Sequence, residues 1–203
     1  MGKKIIAVSG THGTGKTFLL EALKHIDECI VDDFKVSRSI QGSANLDNFT
    51  KTENSIIEFQ EKIFDAKVQH DGSLTGNVPI LVERSFFDIV IYTEISLSRF
   101  KYLKPTTRQW FKEYRARAFK AQADIYDGHI IIHPHIDIPF VQDPNRATFD
   151  TRYMFCEKMF DCSLRGKSLK RSTDHQYQFR ELNLYCADIN DRITEVKKFL
   201  QYL

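Results

Sequence analysis

The chain lacks the features that mark membrane-spanning, secreted and disulfide-stapled proteins. Its longest apolar run is far shorter than the roughly 18 residues that a transmembrane helix needs. The N-terminus leads straight into a strand pattern without the apolar stretch of a signal peptide, so we expect no secretory leader and no membrane partner. The four cysteines form neither a CxxC pair nor a zinc-ligand spacing, which favours free, mostly buried thiols in a reducing cytoplasm.

An excess of charge of one sign is also absent. Lys and Arg number 29 against 27 Asp and Glu, and a net charge of +2 gives no argument for a nucleic-acid partner. A content of 42% hydrophobic and 28% charged residues is typical of a globular protein and excludes wholesale disorder. A chain of 203 residues can bury about 70% of its unfolded surface in one core. We therefore expect a single domain over residues 1–203, with no repeats.

Short β-rich runs alternate with longer helical patterns along the chain. The runs of strand length lie at residues 4–9, 29–31, 79–83, 125–133 and 182–186. The helical patterns cover residues 17–26, 55–70, 85–102, 106–123, 148–164 and 188–203, and loops or turns are expected at 41–50, 71–77, 134–145 and 165–176. This alternation predicts a parallel sheet covered by helices on both faces.

One segment matches a phosphate-binding pattern at every fixed position. It lies between a buried strand and an amphipathic helix and fits GxxxxGK[ST] with Gly10, Thr11, His12, Gly13, Thr14, Gly15, Lys16 and Thr17. Glycines let backbone N–H groups converge on an anion, and the helix start adds about half a positive charge. We expect Lys16 to neutralise the β- and γ-phosphates of a nucleotide and Thr17 to ligate Mg²⁺.

This segment predicts a three-layer α/β/α P-loop NTPase fold with a five-stranded parallel sheet. The same loop serves ATPases, GTPases and small-molecule kinases, so it does not identify the reaction. No NKxD-like guanine-reading tetrapeptide follows the fourth strand. We therefore expect ATP rather than GTP as the nucleotide.

Polar residues follow the third strand. Glu83 can hold Mg²⁺ or its water, and Arg84 can grip an anion with two parallel hydrogen bonds. The segment Glu83-Arg84-Ser85, with Asp88 and Tyr92 after it, resembles the [DE]R[YHS] segment of thymidylate kinases and deoxynucleoside kinases. The resemblance implies a metal or catalytic role for Glu83, and contact with the acceptor or the transferring phosphoryl group for Arg84. It also makes Tyr92 a candidate substrate contact.

Two aspartates follow the second strand. In the nucleoside kinases that the chain resembles, an acid at this strand end faces the acceptor hydroxyl, so Asp33, or failing that Asp32, is the candidate base. The spacing to Arg38 resembles the E-x-x-x-R stretch of bacterial nicotinamide riboside kinases, but it is one residue longer here. The choice between the two aspartates therefore stays open. Arg38 becomes a candidate for holding the sugar or phosphate of the acceptor.

The segment after the fourth strand resembles the start of the lid in the nicotinamide riboside kinases, which also pass through proline to D-x-x-R. The resemblance implies a lid around residues 143–175, in which Arg146 and Arg152 close over ATP and stabilise charge on the transferring phosphoryl group. Residues 188–193 also fit that family, where this turn packs near the adenine.

Together these resemblances predict a cytoplasmic, ATP- and Mg²⁺-dependent kinase whose acceptor is a small-molecule nucleoside or nucleoside monophosphate. A homodimer is left open. One alternative is a kinase acting on nucleotides within DNA or RNA, which the basic and aromatic residues of 108–120 would support. An amphipathic helix with a solvated basic face explains that pattern as well, and we favour it. Another alternative is a P-loop ATPase switch without a phosphoryl acceptor.

Overall fold

The computed structural model of the chain describes residues 4–42, 49–135, 137–138, 152–173 and 180–203. Its strands form one parallel sheet in the order β2-β3-β1-β4-β5. They are β1 (Ile5–Gly10), β2 (Ile30–Asp32), β3 (Ile80–Glu83), β4 (Gly128–Ile132) and β5 (Arg180–Leu184). The five-stranded parallel sheet expected from the sequence is confirmed.

Helices connect the strands. They are α1 (Lys16–Leu23), α2 (Val36–Gln41), α3 (Glu53–Ser73), α4 (Phe86–Leu97), α5 (Pro105–Ile125), α6 (Arg152–Thr173) and α7 (Ile189–Gln201). Successive side chains of a strand point to opposite faces, and β1 is buried along its whole length. Ile5 and Ala7 pack with α3, α4 and α5, whereas Ile6 and Val8 pack with α1 and α7. The sheet is therefore the middle of the three predicted layers.

Two segments that the sequence predicted as turn or loop are helical: α3 continues through Asp71-Gly72-Ser73, and α6 continues past Arg165 and Gly166 to Thr173. Helix α2 occupies residues 36–41, for which no helix was predicted. A glycine inside a helix costs only about 1 kcal/mol, which neighbouring contacts can offset. In α3 such a contact is the ion pair between Lys67 Nζ and Asp71 Oδ2, 2.8 Å apart and one turn apart along the helix.

The predicted lid is described only in part. Residues 143–151, which include Arg146, and residues 174–175 lie outside the described residues, while 152–173 form α6. Phe155, Met159 and Cys162 of this helix pack in a cluster with residues of α4, α5 and β4. None of the described helices has the length and apolar character needed to cross a bilayer. All four cysteines are free thiols, with Cys29 and Cys162 buried.

Candidate phosphate and metal site

The glycine-rich segment joins the end of β1 to the start of α1. Gly13 and Gly15 adopt positive φ angles of 75° and 79°, a region that side chains make costly. A Cβ atom on Gly10 would lie 2.9 Å from Thr14 Oγ1 and 3.0 Å from the Ile132 carbonyl oxygen. The hydroxyl of Thr14 donates to the Thr11 carbonyl at 3.0 Å and braces the loop from within. The loop thus needs glycine at these positions, as a backbone cradle for phosphate does.

Lys16 is the first residue of α1, and its ammonium donates to Glu83 Oε1 at the end of β3. The Lys16 side chain is only 5% exposed, and burial, with the nearby Arg84 charge, lowers its pKa to about 8. Burial disfavours the Glu83 carboxylate, but Lys16 and Arg84 outweigh it and hold the pKa of Glu83 below its usual value. Lys35 Nζ lies 3.9 Å from Glu83 Oε2 and adds a further positive charge.

Arg84 follows β3 with a positive φ of 72°. Among the described residues, no other non-glycine residue has a positive φ. Nη1 of Arg84 donates to the Gly10 carbonyl at 2.7 Å, to Asp88 Oδ1 at 3.0 Å and to the Tyr92 hydroxyl at 3.1 Å. The guanidinium carbon lies 5.0 Å from the centre of the Tyr92 ring, and Nη2 lies 3.5 Å from His12 Nδ1. Two of the predicted substrate contacts, Arg84 and Tyr92, are therefore in contact with each other and with the phosphate loop.

Asp88 is buried and accepts several hydrogen bonds. The Ser85 backbone N–H and hydroxyl donate to Asp88 Oδ2 at 2.8 and 2.7 Å, and the Ser9 hydroxyl donates to it as well. Nε2 of His129 on β4 lies 2.6 Å from the Ser9 hydroxyl. Burial works against the carboxylate, but Arg84 and these hydrogen bonds lower the pKa of Asp88. The network ties β1, β4 and the start of α4 together behind the phosphate loop.

The two aspartates at the end of β2 have different surroundings. The Asp32 side chain is 18% exposed, accepts from the Phe34 backbone N–H at 3.3 Å, and lies 3.6 Å from His70 Nε2. Burial raises the pKa of Asp32. The Asp33 side chain is 70% exposed, and its carboxylate pairs with Lys24 Nζ at 2.6 Å.

A shallow cleft brings the predicted metal and acceptor residues together. It is lined by Thr17, Leu20, Glu21, Val31, Asp32, Asp33, Lys35 and Glu83. The Thr17 hydroxyl and the Glu83 carboxylate supply the oxygen donors that suit Mg²⁺. Arg38 is exposed on α2 and is not part of the cleft lining. Arg152 is the first residue of α6.

Three basic residues near this site were not singled out as site residues from the sequence. Lys35 reaches Glu83, and no sequence pattern marks it. Buried Lys67 lies 3.5 Å from the Glu83 carbonyl oxygen, and buried Arg192 contacts the phosphate loop. Both occupy positions on the apolar stripes of their helices, four residues from Ile63 and from Val196. A charged residue at a position on the apolar stripe of a helix is the sequence signal by which Lys67 and Arg192 could have been identified.

The glycine loop, the Lys16–Glu83 pair and the parallel sheet define a P-loop NTPase fold, with the site outside the carboxyl ends of the strands. The sequence matches the protein family described as AAA domain over residues 5–183, and the chain belongs to that family. No curated protein sequence matches the chain.

Solved structures share the fold at low sequence identity. Deoxyadenosine kinase from M. mycoides with bound dCTP has a TM-score of 0.64 and 11% identity, with 98% of this chain and 100% of that chain covered. NadR protein in complex with NR has a TM-score of 0.63 and 17% identity over 98% of this chain, which spans 50% of the NadR chain. Thymidylate kinase from Candida albicans has a TM-score of 0.58 and 15% identity, with 99% of this chain and 92% of that chain covered. The suspected resemblance to nucleoside and nucleotide kinases is confirmed at the level of the fold.

Proposed function

We propose that the protein is a kinase that transfers the γ-phosphoryl group of ATP, with Mg²⁺, to a nucleoside or nucleoside monophosphate. The observation that carries this proposal is the cleft in which Asp32 lies on the same lining as Thr17 and Glu83. In a kinase whose acceptor is a hydroxyl, a carboxylate beside the phosphate and metal site orients that hydroxyl and accepts its proton, whereas an ATPase that transfers to water needs no acceptor pocket. The folds of the deoxyadenosine kinase and thymidylate kinase structures support the same class of reaction.

In this proposal the phosphate loop and Lys16 hold the β- and γ-phosphates, and Thr17 and Glu83 hold the metal ion. Bound Mg²⁺ would supply charge neutralisation on the phosphate oxygens. We now favour Asp32 over Asp33 as the group that orients the acceptor hydroxyl. Burial raises the pKa of Asp32, which makes it a better base, while Asp33 already pairs with Lys24 in solvent.

The remaining predicted residues keep their proposed roles. Arg84 and Tyr92 would contact the acceptor or the transferring phosphoryl group. Arg38 would hold the acceptor, and Arg146 and Arg152 would close from the lid around residues 143–175.

The aromatic side chains that suggested a nucleic-acid substrate are engaged within the protein, while Arg108, Lys112 and Lys120 form an exposed basic face, as expected for an amphipathic helix. Tyr114 of α5 is buried, and Trp110 Nε1 donates to Glu61 Oε1 at 2.6 Å. Arg117 pairs with the same carboxylate at 2.5 Å and lies over the Phe64 ring. These contacts join α5 to α3, which is why we retain a free nucleoside or nucleotide as the proposed substrate.

The proposal is tested with γ-labelled ATP, Mg²⁺ and a panel of nucleosides and nucleoside monophosphates. We expect transfer of label to at least one acceptor, and a loss of about a thousandfold or more in Lys16→Ala. Lys198→Ala is the matched control, because this lysine pairs with Glu195 on the surface, away from the cleft lining. ATP hydrolysis that no acceptor accelerates would favour a P-loop ATPase switch instead, and labelling only of polynucleotide ends would favour the nucleic-acid alternative.

A further inference from the structure

Arg192 connects the C-terminal helix to the underside of the phosphate loop. It lies in the first turn of α7, whose N-cap Asp188 accepts from the Asn190 backbone N–H at 2.7 Å. The Arg192 side chain is 2% exposed. Its Nη1 donates to the Thr14 carbonyl at 2.6 Å, and its Nε donates to the Cys186 carbonyl at 2.7 Å. One buried guanidinium therefore links the β5–α7 connection to a loop 178 positions earlier in the chain.

The guanidinium of Arg192 is a buried charge without a counter-ion in the described part of the chain. No carboxylate there lies within ion-pair distance of it, and its Nη2 is buried with no hydrogen-bond partner. Burial lowers the pKa of Arg192, but an arginine still stays charged at neutral pH. A buried charge held only by two carbonyls is unfavourable, so an anion nearby would improve its surroundings.

The bond from Arg192 also fixes one peptide plane of the loop. The C=O and N–H of a trans peptide point in opposite directions, so holding the Thr14 carbonyl toward Arg192 turns the Gly15 N–H away from it. A Cβ atom on Gly15 would lie 3.0 Å from Arg192 Nη1, at a φ of +79°. Gly15 is therefore needed for this close approach as well as for its backbone conformation.

The geometry points to Arg192 as a positioning residue that presets the phosphate loop for a polyphosphate chain. It holds the Thr14–Gly15 peptide with its N–H available to an anion, and it places a positive charge beneath the start of α1. Binding of the polyphosphate in turn stabilises the first turn of α7, because the same side chain serves both. This inference rests on the proposed function only in requiring that the loop bind the phosphates of a nucleotide, and it involves no acceptor.

The test measures binding of inorganic tripolyphosphate by calorimetry, with adenosine as a probe that lacks phosphate. We expect Arg192→Met to weaken tripolyphosphate binding roughly tenfold or more and to leave adenosine binding unchanged. Arg192→Lys keeps the charge but cannot hold both carbonyl oxygens, so its affinity for tripolyphosphate should lie between those of Arg192→Met and the wild type. Lys198→Met, on an exposed face of the same helix, is the control and should bind as the wild type does.

Amide hydrogen exchange gives a readout that a merely structural role would not move. Tripolyphosphate should slow the exchange of the first α7 amides in the wild type and in Lys198→Met, and should slow it less in Arg192→Lys. If Arg192→Met does not fold, Arg192→Lys alone tests the inference. Unchanged tripolyphosphate affinity in either Arg192 variant, or a loss confined to adenosine, would overturn the inference. If no acceptor is phosphorylated while these binding effects appear, the proposed kinase activity fails and the positioning role stands. Absence of tripolyphosphate binding in the wild type would overturn both.

Discussion

Arg84 and Gly10 lie 74 positions apart in the chain, yet Nη1 of Arg84 donates to the Gly10 carbonyl at 2.7 Å. The residue that follows β3 therefore holds the residue from which the phosphate loop leaves β1. Arg84 does so with a left-handed backbone, a conformation that costs about 1 kcal/mol or more for a residue with a side chain. Contacts to Asp88 and Tyr92 from the same guanidinium offset that cost.

The Asp88 carboxylate is the buried partner of this arginine, and Asp88→Asn should destabilise the protein by about 3 kcal/mol at pH 7. The depressed pKa of Asp88 gives the sign of the pH dependence. Its contribution is fully present above about pH 5, where an unfolded aspartate is ionised, and is lost as the pH falls through the lower folded pKa. The stability difference between wild type and variant should therefore shrink toward pH 3.

Urea unfolding of both proteins at several pH values from 7 to 3 measures this difference. Asp124→Asn is the control, because Asp124 forms an exposed pair with Lys120. A gap between wild type and Asp88→Asn that stays constant over this range would contradict the assigned charge state.

The pKa of Lys16, lowered to about 8 mainly by burial, predicts pH-dependent phosphate binding. A lysine is a cation below its pKa, so binding of ADP should weaken as the pH rises above 8. Between pH 8 and 9 the charged fraction falls from about a half to about a tenth, and the affinity should fall about fivefold. Calorimetry at fixed ionic strength measures the effect. Lys16→Arg stays charged over this range, so any binding it retains should not show the decline.

The phosphate loop and the sheet were predictable because their signals are local in sequence. Gly10 to Thr17 carry a complete motif, and strands of buried residues alternate with amphipathic helices along the chain. Helix α2 was not predicted, and the ends of α3 and α6 were missed because the glycines and polar residues there looked like turns. Contacts made after folding, such as the Lys67–Asp71 pair in α3, decide those boundaries.

The details of the site depend on contacts distant in sequence, which no local pattern carries. Asp32 lies 3.6 Å from His70 of α3, and Arg192 contacts Thr14 from the far end of the chain. The sequence favoured Asp33 and left the choice between it and Asp32 open, because the two residues are neighbours. Only the packing of α3 and the pairing of Lys24 distinguish their surroundings.

The different surroundings of Asp32 and Asp33 predict that replacing each by asparagine has an unequal effect on kcat. If the acceptor is the hydroxyl of a nucleoside, Asp32→Asn should lower kcat about a hundred- to ten-thousandfold with little change in the KM for ATP, as expected for loss of a general base. Asp33→Asn removes an exposed pair with Lys24 and should change kcat little. Steady-state kinetics with the best acceptor from the panel measures both. The reverse order would assign the acceptor to Asp33, and normal kcat in both variants would remove the end of β2 from the reaction.

Arg84→Lys separates the two classes of acceptor. Its guanidinium matches a phosphate better than a sugar hydroxyl, because the planar fork bonds two oxygens at once. If the acceptor is a monophosphate, the lysine variant should raise the acceptor KM and lower kcat/KM for the acceptor about ten- to a hundredfold. If the acceptor is an unphosphorylated nucleoside, the loss should fall mainly on kcat, through the transferring phosphoryl group.

The Arg84–Gly10 bond supplies a third outcome that the kinetics must distinguish. A lysine can keep one hydrogen bond to the Gly10 carbonyl or to Asp88 but not the set that Nη1 makes now. If Arg84 acts chiefly by holding the phosphate loop, the KM for ATP should rise together with the acceptor KM. Tyr92→Phe is the control, since it removes the hydroxyl contact at 3.1 Å and leaves the guanidinium in place. A raised acceptor KM with an unchanged KM for ATP would support a monophosphate acceptor, and a rise in both KM values would make Arg84 a support of the loop.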